Sequence, residues 1–185
     1  MEAKEAILTR RSVRNFIEKD IPPDMIINIL DCALRAPSSS NTQPWEFILV
    51  KDQEIKDRIG YLGARSLYER KKRKLKDAKK RFEMIAKASL FIVIACNTKK
   101  SPIFWRHDGS AATQNILLAA HAHGLGAVWL GAPVALKKHS NEIKKLLKLP
   151  KQWEIASIVA LGYPKTMLKP RPKSNIKDKV HFERW

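Results

Sequence analysis

The stretch SLFIVIAC, residues 89–96, decides the fold class of this chain. A strand with one face in water alternates apolar and polar residues, and this run shows no such alternation. It therefore predicts a fully buried strand. Three further apolar runs predict strands in the same layer: EFILV at 46–50, AVWLGA at 127–132 and EIASIVALGYP at 154–164.

Segments with helical periodicity separate these strands. One helix is predicted over 2–11, and a second follows IPPD, with Asp24 as its cap and Pro37 at its end. A short helix over 52–60, a buried helix over 108–123 and a charged amphipathic helix over 135–147 complete the pattern. Because no interior linker divides the chain, residues 1–185 are predicted to form one domain of mixed helices and strands.

The C-terminal tail, from about 165 to 185, is rich in Pro and Lys but ends in VHFERW. Its Val180, Phe182 and Trp185 need a surface to cover. We expect the tail to wrap over another part of the assembly, such as a partner subunit.

Composition argues against a membrane protein. The 185 residues are 44% hydrophobic, which suffices for one packed core. The longest apolar region, 116–136, carries two histidines, three glycines and a proline, so no membrane span is expected. No signal-peptide pattern is seen, and we expect a cytoplasmic protein. Cys32 and Cys96 each lie in an apolar segment, the usual setting of a buried, reduced thiol.

The net charge of +18 raises the prospect of phosphate-bearing partners. Residues 65–81 hold ten Lys or Arg side chains against only Glu69 and Asp77, a composition that is also typical of nucleic-acid-binding proteins. Aromatic residues that could stack on bases are sparse there, so a solvated, strongly charged helix is the better interpretation and a nucleic-acid partner is unlikely.

The segment TRRSVRNF, 9–16, is the first candidate site. Arg10, Arg11, Ser12 and Arg14 place several donors over one helix end, which suits a dianionic phosphate or a polar ring edge. A solvated basic helix end is the alternative.

Three other segments are candidates as well. The polar loop APSSSNTQPWEF, 36–47, offers many donors, and in HGLGAVWLGAP, 123–133, glycines allow a flat group to approach the backbone. The tail adds KPRPKS, 169–174. No metal site is predicted, because the pairs His107–Asp108 and His121–His123 match no common ligand spacing.

In this order along the chain, four pieces resemble the nitroreductase family of FMN-dependent oxidoreductases. They are RRSVRNF, APSSSNTQPWEFILV, the stretch from Asp108 through QNILLAAHAHGLGAVWLGAP, and ALGYPK with KPRPK and VHFERW. The resemblance covers nearly the whole chain. It implies an α+β fold, an α-β-α sandwich with a mostly antiparallel central sheet. It also implies an intertwined homodimer with an FMN at each of two interface sites.

The resemblance assigns roles residue by residue. Arg10, Ser12 and Arg14, with Arg11 beside them, contact the FMN phosphate or the polar edge of the flavin. The loop reaches the flavin from the partner subunit through Pro37, Ser38, Ser39, Asn41 and Gln43. The backbone of Leu130 and Gly131 lies near flavin N5. Arg171 and Lys173 close on the phosphate, although a register using Lys169 and Arg171 stays open. Lys173 replaces the family's arginine and lacks its planar fork.

The implied reaction takes hydride from NADH or NADPH and reduces a small acceptor, such as a nitroaromatic or a quinone, by a ping-pong mechanism. The cofactor performs the redox chemistry, so no catalytic side chain is named. Dehalogenation, dehydrogenation or flavin fragmentation on the same fold are alternatives.

Overall fold

The computed structural model describes residues 1–166, 168 and 175–185. Its helices are α1 (Ala3–Thr9), α2 (Pro23–Leu34), α3 (Gln53–Glu69), α4 (Leu75–Ala86), α5 (Trp105–Ala122) and α6 (Lys137–Leu146). Its strands are β1 (Phe16–Ile17), β2 (Trp45–Val50), β3 (Leu90–Asn97), β4 (Gly126–Leu130) and β5 (Trp153–Pro164). Short 3-10 turns cover Ser39–Asn41, Ala132–Val134 and Ile176–Lys179.

The five strands form one sheet in which every ladder is antiparallel. Strand β5 pairs with β1, β3 and β4, and β3 pairs with β2 on its other side. The ladder between β3 and β5 has one register shift, between Ile94 and Ala95. The short β1 was not predicted, because a two-residue strand leaves no periodicity to detect.

Helices cover both faces of the sheet, as β3 shows. Leu90, Ile92 and Ile94 pack in a cluster with α2 and α5. Phe91 and Val93 point the other way, into a cluster with α3, α4 and α6. Because successive side chains of β3 point into two different cores, residues 90–96 are all apolar. The predicted α-β-α sandwich with an antiparallel sheet is confirmed.

Helices α3 and α4 approach each other closely at a glycine. A Cβ added to Gly63 would lie 2.4 Å from Cζ of Phe82, so a larger residue would force the two helices apart. Helix α3 begins after Asp52, whose side chain accepts a hydrogen bond from Ile55 N at 2.9 Å. It continues to Glu69, nine residues beyond the end predicted from the sequence.

Two local expectations were wrong. Pro22, not Asp24, stands at the N-cap of α2, and Asp24 lies in the first turn, where its charge favours the helix dipole. Cys32 is exposed, because it lies on the outer side of α2, whereas Cys96 is buried as expected.

Candidate active site

The arginine segment of residues 10–14 lies along the edge of the sheet. Ser12 forms a parallel bridge with Ala127 of β4, and Val13 N donates to Ala127 O at 3.0 Å. A Cβ at Gly126 would lie 2.8 Å from Cβ of Val13, so glycine is what allows this close approach. The backbone of the segment is therefore fixed to a core strand.

The side chains of the arginine segment are partly buried and sit at the C-terminal end of α5. Arg14 Nη1 donates to Ser12 O at 3.0 Å, which folds the guanidinium back over its own segment. Just before the segment, Thr9 Oγ1 and His121 Nε2 are 2.8 Å apart. Burial, and then the charge of Arg10, lower the pKa of His121.

Strand β4 ends next to an open face. Leu130 is buried, whereas Gly131 is exposed, and a Cβ added to Gly131 would meet nothing within 4 Å. The Ala132–Val134 turn follows directly. The arginine segment and Gly131 are thus attached to the same strand, and space exists beside its end for a flat ring.

The loop of residues 37–43 has an unusual backbone. Ser40, Asn41 and Gln43 have φ values of 49°, 53° and 43°, in the left-handed region that L residues with a side chain rarely adopt. Internal bonds support the loop: Ser38 Oγ accepts from Gln43 N at 2.9 Å, and Asn41 Oδ1 accepts from Gln43 Nε2 at 3.0 Å. Strained backbone of this kind persists where the surroundings impose it, and it is enriched at ligand sites.

Asp108 anchors the loop to the first turn of α5. Its Oδ1 accepts from Ser39 N at 2.9 Å, and its Oδ2 accepts from Ser101 Oγ at 2.6 Å. The side chain is only 4% exposed, and the bond to Ser101 is buried whereas the bond to Ser39 is partly buried. Hydrogen bonds to a carboxylate are strengthened by such burial. The sequence singled out Asp108 beside His107 and at the start of the stretch that resembles the family, but no local pattern indicated this positioning role.

The structure attaches the arginine segment to the strand that ends at Gly131 but keeps the loop away from the arginine segment within one chain. Thr9 contacts His121 at one end of α5, and Ser39 contacts Asp108 at the other. The thirteen residue steps from Asp108 to His121 span about 20 Å along the helix. A compact site that uses both segments therefore has to take them from two chains.

The tail is described only in part. Lys165 N donates to Asn15 O at 3.0 Å, which carries the chain back to the end of the arginine segment. Arg171 and Lys173, assigned to the phosphate from the sequence, lie outside the described residues, as does Lys169.

A well-formed cavity lies elsewhere, in a cleft between α3, α4 and residues 18–20, with a volume of about 870 Å³. None of the assigned cofactor residues that the structure describes lines it. Lys56 projects into it with Nζ bonded to Ala88 O at 2.8 Å, and burial lowers the pKa of this lysine. Lysines and carboxylates are mixed around the cleft, with Lys87 paired to Glu18 at 2.9 Å. We place the candidate site at β4, where the arginine segment and the open strand end lie on one strand.

Among residues 1–166, 168 and 175–185, no group of three or more His, Cys, Asp or Glu side chains is arranged to hold a metal ion. Within the same residues, no helix has the length and apolar character to cross a bilayer.

Comparisons with known proteins identify relatives over almost the full length. A protein of Methanothermobacter thermautotrophicus, provisionally named NADH dehydrogenase/NAD(P)H nitroreductase, is 34% identical over 187 residues, covering 100% of this chain and 88% of the relative. An iodotyrosine deiodinase of Thermotoga neapolitana is 31% identical and covers 89% of this chain and 88% of its own. The solved structure of an FMN-dependent nitroreductase from Clostridium difficile superimposes with a TM-score of 0.80 at 27% identity, covering 98% of this chain and 99% of that one.

The model of the nitroreductase family matches residues 7–163, a range that includes the arginine segment, the strained loop and the five strands apart from the last residue of β5. This finding confirms two predictions made from the sequence: the family, and the enzyme class, which is oxidoreductase. The chain belongs to the nitroreductase family.

Proposed function

We propose that this protein is an FMN-dependent oxidoreductase that takes hydride from NADH or NADPH and reduces a small acceptor, such as a nitroaromatic or a quinone. One observation carries the proposal: a cluster of arginines is fixed to β4 by the Ser12–Ala127 bridge, on the strand that ends in the open face at Gly131. An anion-binding group and a flat surface on one strand are what a flavin with a phosphate tail requires.

The residues present fit FMN. Arg10, Arg11, Ser12 and Arg14 offer charged and hydroxyl donors for its phosphate or the polar edge of its ring. The backbone of Leu130 and Gly131 is assigned to the ring itself, since glycine lets a planar group approach. Arg171 and Lys173 are assigned to the phosphate from the sequence alone.

When bound, FMN supplies the hydride and electron chemistry that no amino-acid side chain provides. The chain's own residues bind and orient the cofactor, and the arginines place positive charge beside it, which raises its reduction potential. No acid or base is required of the protein. If NAD(P)H and the acceptor bind in turn at the open end of β4, the kinetics would be ping-pong.

We assign the active form to a homodimer in which each site takes the arginine segment from one chain and the 37–43 loop from the other. The separation of about 20 Å along α5 supports this arrangement. So do the apolar side chains left in water on helices that pack against α5, which include Ile7 and Leu8 of α1 and Ile27 and Leu34 of α2. Phe182, 88% exposed, belongs to the tail that would cover the partner.

Dehalogenation is the second candidate reaction, because a relative 31% identical over nearly the whole chain is named an iodotyrosine deiodinase. The two candidates share the cofactor and differ in the product. Release of iodide from iodotyrosine with dithionite as reductant supports dehalogenation, and its absence together with menadione-dependent NAD(P)H oxidation supports the first reaction.

Purified protein tests the cofactor directly. We expect a yellow dimer that releases FMN on denaturation, oxidises NAD(P)H with menadione and gives parallel double-reciprocal lines. Arg14→Ala is expected to weaken FMN binding by about tenfold or more and to lower the flavin potential, because it removes a charged donor. Arg35→Ala, which alters an exposed arginine on α2, is the matched control and should change neither quantity. Colourless protein that takes up no added FMN contradicts the proposal.

A further inference from the structure

The connection between α3 and α4 forms a basic surface that the proposed function does not use. We call residues 70–81 the basic hairpin. It contains nine cationic side chains and a single acid, Asp77. The cations are Arg70, Lys71, Lys72, Arg73, Lys74, Lys76, Lys79, Lys80 and Arg81.

The cations of the basic hairpin project outward because of how α4 packs. Ala78, Phe82 and Ile85 form the buried stripe of the helix, at a spacing of four and three residues. Lys76 and Lys80, one turn apart, therefore lie on the exposed side. From the start of α4 to Arg81 the charged surface extends about 9 Å, and the preceding turn enlarges it beyond the footprint of a small anion.

This charge is uncompensated. Within the described part of the chain, none of the nine cations forms an ion pair with a carboxylate, whereas Lys87 is paired with Glu18 and Lys144 with Glu154. Burial, and then the nearby Arg73, lower the pKa of Arg81, which places two guanidiniums close together. Crowded like charges destabilise a fold. The cations of the basic hairpin therefore do not belong to an ion-pair network that stabilises the protein surface.

The basic hairpin begins next to the candidate active site. Glu69, the residue just before it, bonds Lys138 at 2.6 Å and Arg65 at 3.2 Å. Lys138 lies in the first turn of α6, shortly after the Ala132–Val134 turn, and α3 packs against that turn. The hairpin therefore lies on the side of the molecule where β4 ends at Gly131.

We propose that the basic hairpin is the docking surface for a small acidic electron-carrier protein, which accepts electrons from the site at the end of β4. The proposal rests on the proposed function and names a partner class for it. The balanced reaction is NAD(P)H + 2 carrier(oxidised) → NAD(P)⁺ + H⁺ + 2 carrier(reduced). Two electrons leave NAD(P)H, one reaches each carrier molecule, and the proton goes to solvent.

The composition of the basic hairpin favours a protein partner over a nucleic acid. Six of its nine cations are lysines, which are hydrated point charges, while bidentate recognition of phosphate favours arginine. The hairpin itself contains no aromatic residue for stacking on bases. Complementary charge of this kind steers encounter and speeds association, which suits a transient electron-transfer complex.

The test uses the FMN-loaded protein and rubredoxin, an acidic one-electron carrier, as the probe. Calorimetric titration measures binding, and NAD(P)H-dependent reduction measures turnover. The double variant Lys76→Glu/Lys80→Glu reverses two positive charges in the basic hairpin. The control variant Lys145→Glu/Lys151→Glu makes the same change of charge at exposed lysines elsewhere. Menadione, a small neutral acceptor, reports the basal activity, and horse cytochrome c serves as a basic carrier.

We expect the parent to bind rubredoxin, and raising the salt from about 20 to 300 mM to lower its kcat/KM for rubredoxin about tenfold or more. The hairpin variant is expected to raise KM for rubredoxin about tenfold and to keep the menadione rate, while the control variant changes KM less than about twofold. Cytochrome c should be reduced more slowly than rubredoxin at low salt.

Equal effects of the two double variants, or the absence of salt-dependent rubredoxin binding in a protein that reduces menadione, overturn the proposal and leave the proposed function intact. Protein that takes up no FMN defeats the proposed function instead, and the calorimetric titration then still tests the hairpin. Steeply salt-dependent binding of duplex DNA, abolished by the hairpin variant and without rubredoxin binding, assigns the surface to nucleic acid and refutes the carrier.

Discussion

Replacing Asp108 tests whether one buried carboxylate holds the strained loop in place. Asp108 accepts hydrogen bonds from Ser39 N and Ser101 Oγ, at 2.9 and 2.6 Å. Hydrogen bonds to a charged acceptor contribute about 1.5–3 kcal/mol each, so the pair supplies about 3–6 kcal/mol. Against it stand three left-handed residues in the loop, at about 1 kcal/mol each. The two sums are comparable, and the loop conformation therefore depends on the anchor.

Asp108→Ala should lower the free energy of unfolding by about 3 kcal/mol, because relaxation of the loop returns part of the lost energy. If the loop contacts the flavin, the same change weakens FMN binding by about tenfold or more. Asp108→Asn keeps one oxygen to accept from Ser39 and gains an amide that can donate to Ser101. We therefore expect it to cost only about 1 kcal/mol and to change FMN binding little.

The assays are urea denaturation at fixed protein concentration and titration of FMN by fluorescence quenching. Ser101→Ala is the matched control, since it removes one bond to Asp108 and leaves the bond to Ser39. It should lower stability without weakening FMN binding. An Asp108→Ala protein that binds FMN as tightly as the parent would refute the assignment of the loop to the flavin, and one of unchanged stability would refute the anchor.

Three further predictions concern other parts of the molecule. Gly131→Ala should leave stability unchanged within about 0.5 kcal/mol, since its Cβ meets nothing within 4 Å among the described residues, but should weaken FMN binding, as urea melts and flavin titration will show. Burial, and then Asp108, raise the pKa of the Cys96 thiol from 9.0 to about 12, so the folded state keeps a proton that the unfolded state releases. Stability should therefore fall between pH 9.0 and about 12, and at pH 8 the thiol reagent DTNB should label Cys32 in the native protein and both thiols in urea. Deleting residues 180–185 should weaken the dimer, because it removes the exposed apolar end of the tail, and sedimentation at several concentrations measures the shift.

The apolar runs in the sequence predicted the longer strands well, because a buried strand consists of consecutive apolar residues. The run at 89–96 is apolar since both sides of β3 face a core, and a buried strand needs nothing from distant sequence to be recognised. The sandwich and the antiparallel order came instead from resemblance to a family. Composition and periodicity alone indicated only a mixture of helices and strands.

The length of α3 was underestimated for a tertiary reason. Glycines lower helix propensity, and Gly60 and Gly63 made the segment after residue 60 a poor helix by local criteria. In the fold these positions give room to Phe82 of α4, whose ring lies within 3 Å of where a Cβ of Gly63 would be. Packing between α3 and α4 offsets the low helix propensity of the glycines. This effect cannot be predicted before the position of α4 is known.

The role of Asp108 was equally hidden from the sequence. Its partner Ser39 lies 69 residues away, so no spacing links them. The candidate residues of the arginine segment and of the loop were found by resemblance, and their direct contact with the cofactor stays a prediction. The structure adds the strand to which the arginines are fixed and the anchor that positions the loop.

The placement of the two segments at opposite ends of α5 has a consequence for genetics. In a mixed dimer of Arg14→Ala and Asp108→Ala chains, one site combines both altered segments. The other site takes the unaltered arginine segment of the Asp108→Ala chain and the unaltered loop of the Arg14→Ala chain. Random pairing makes half of the dimers mixed, so co-expression of two inactive alleles should restore about a quarter of the wild-type sites. Intragenic complementation of this kind would reveal the shared architecture in living cells, without purification of either chain.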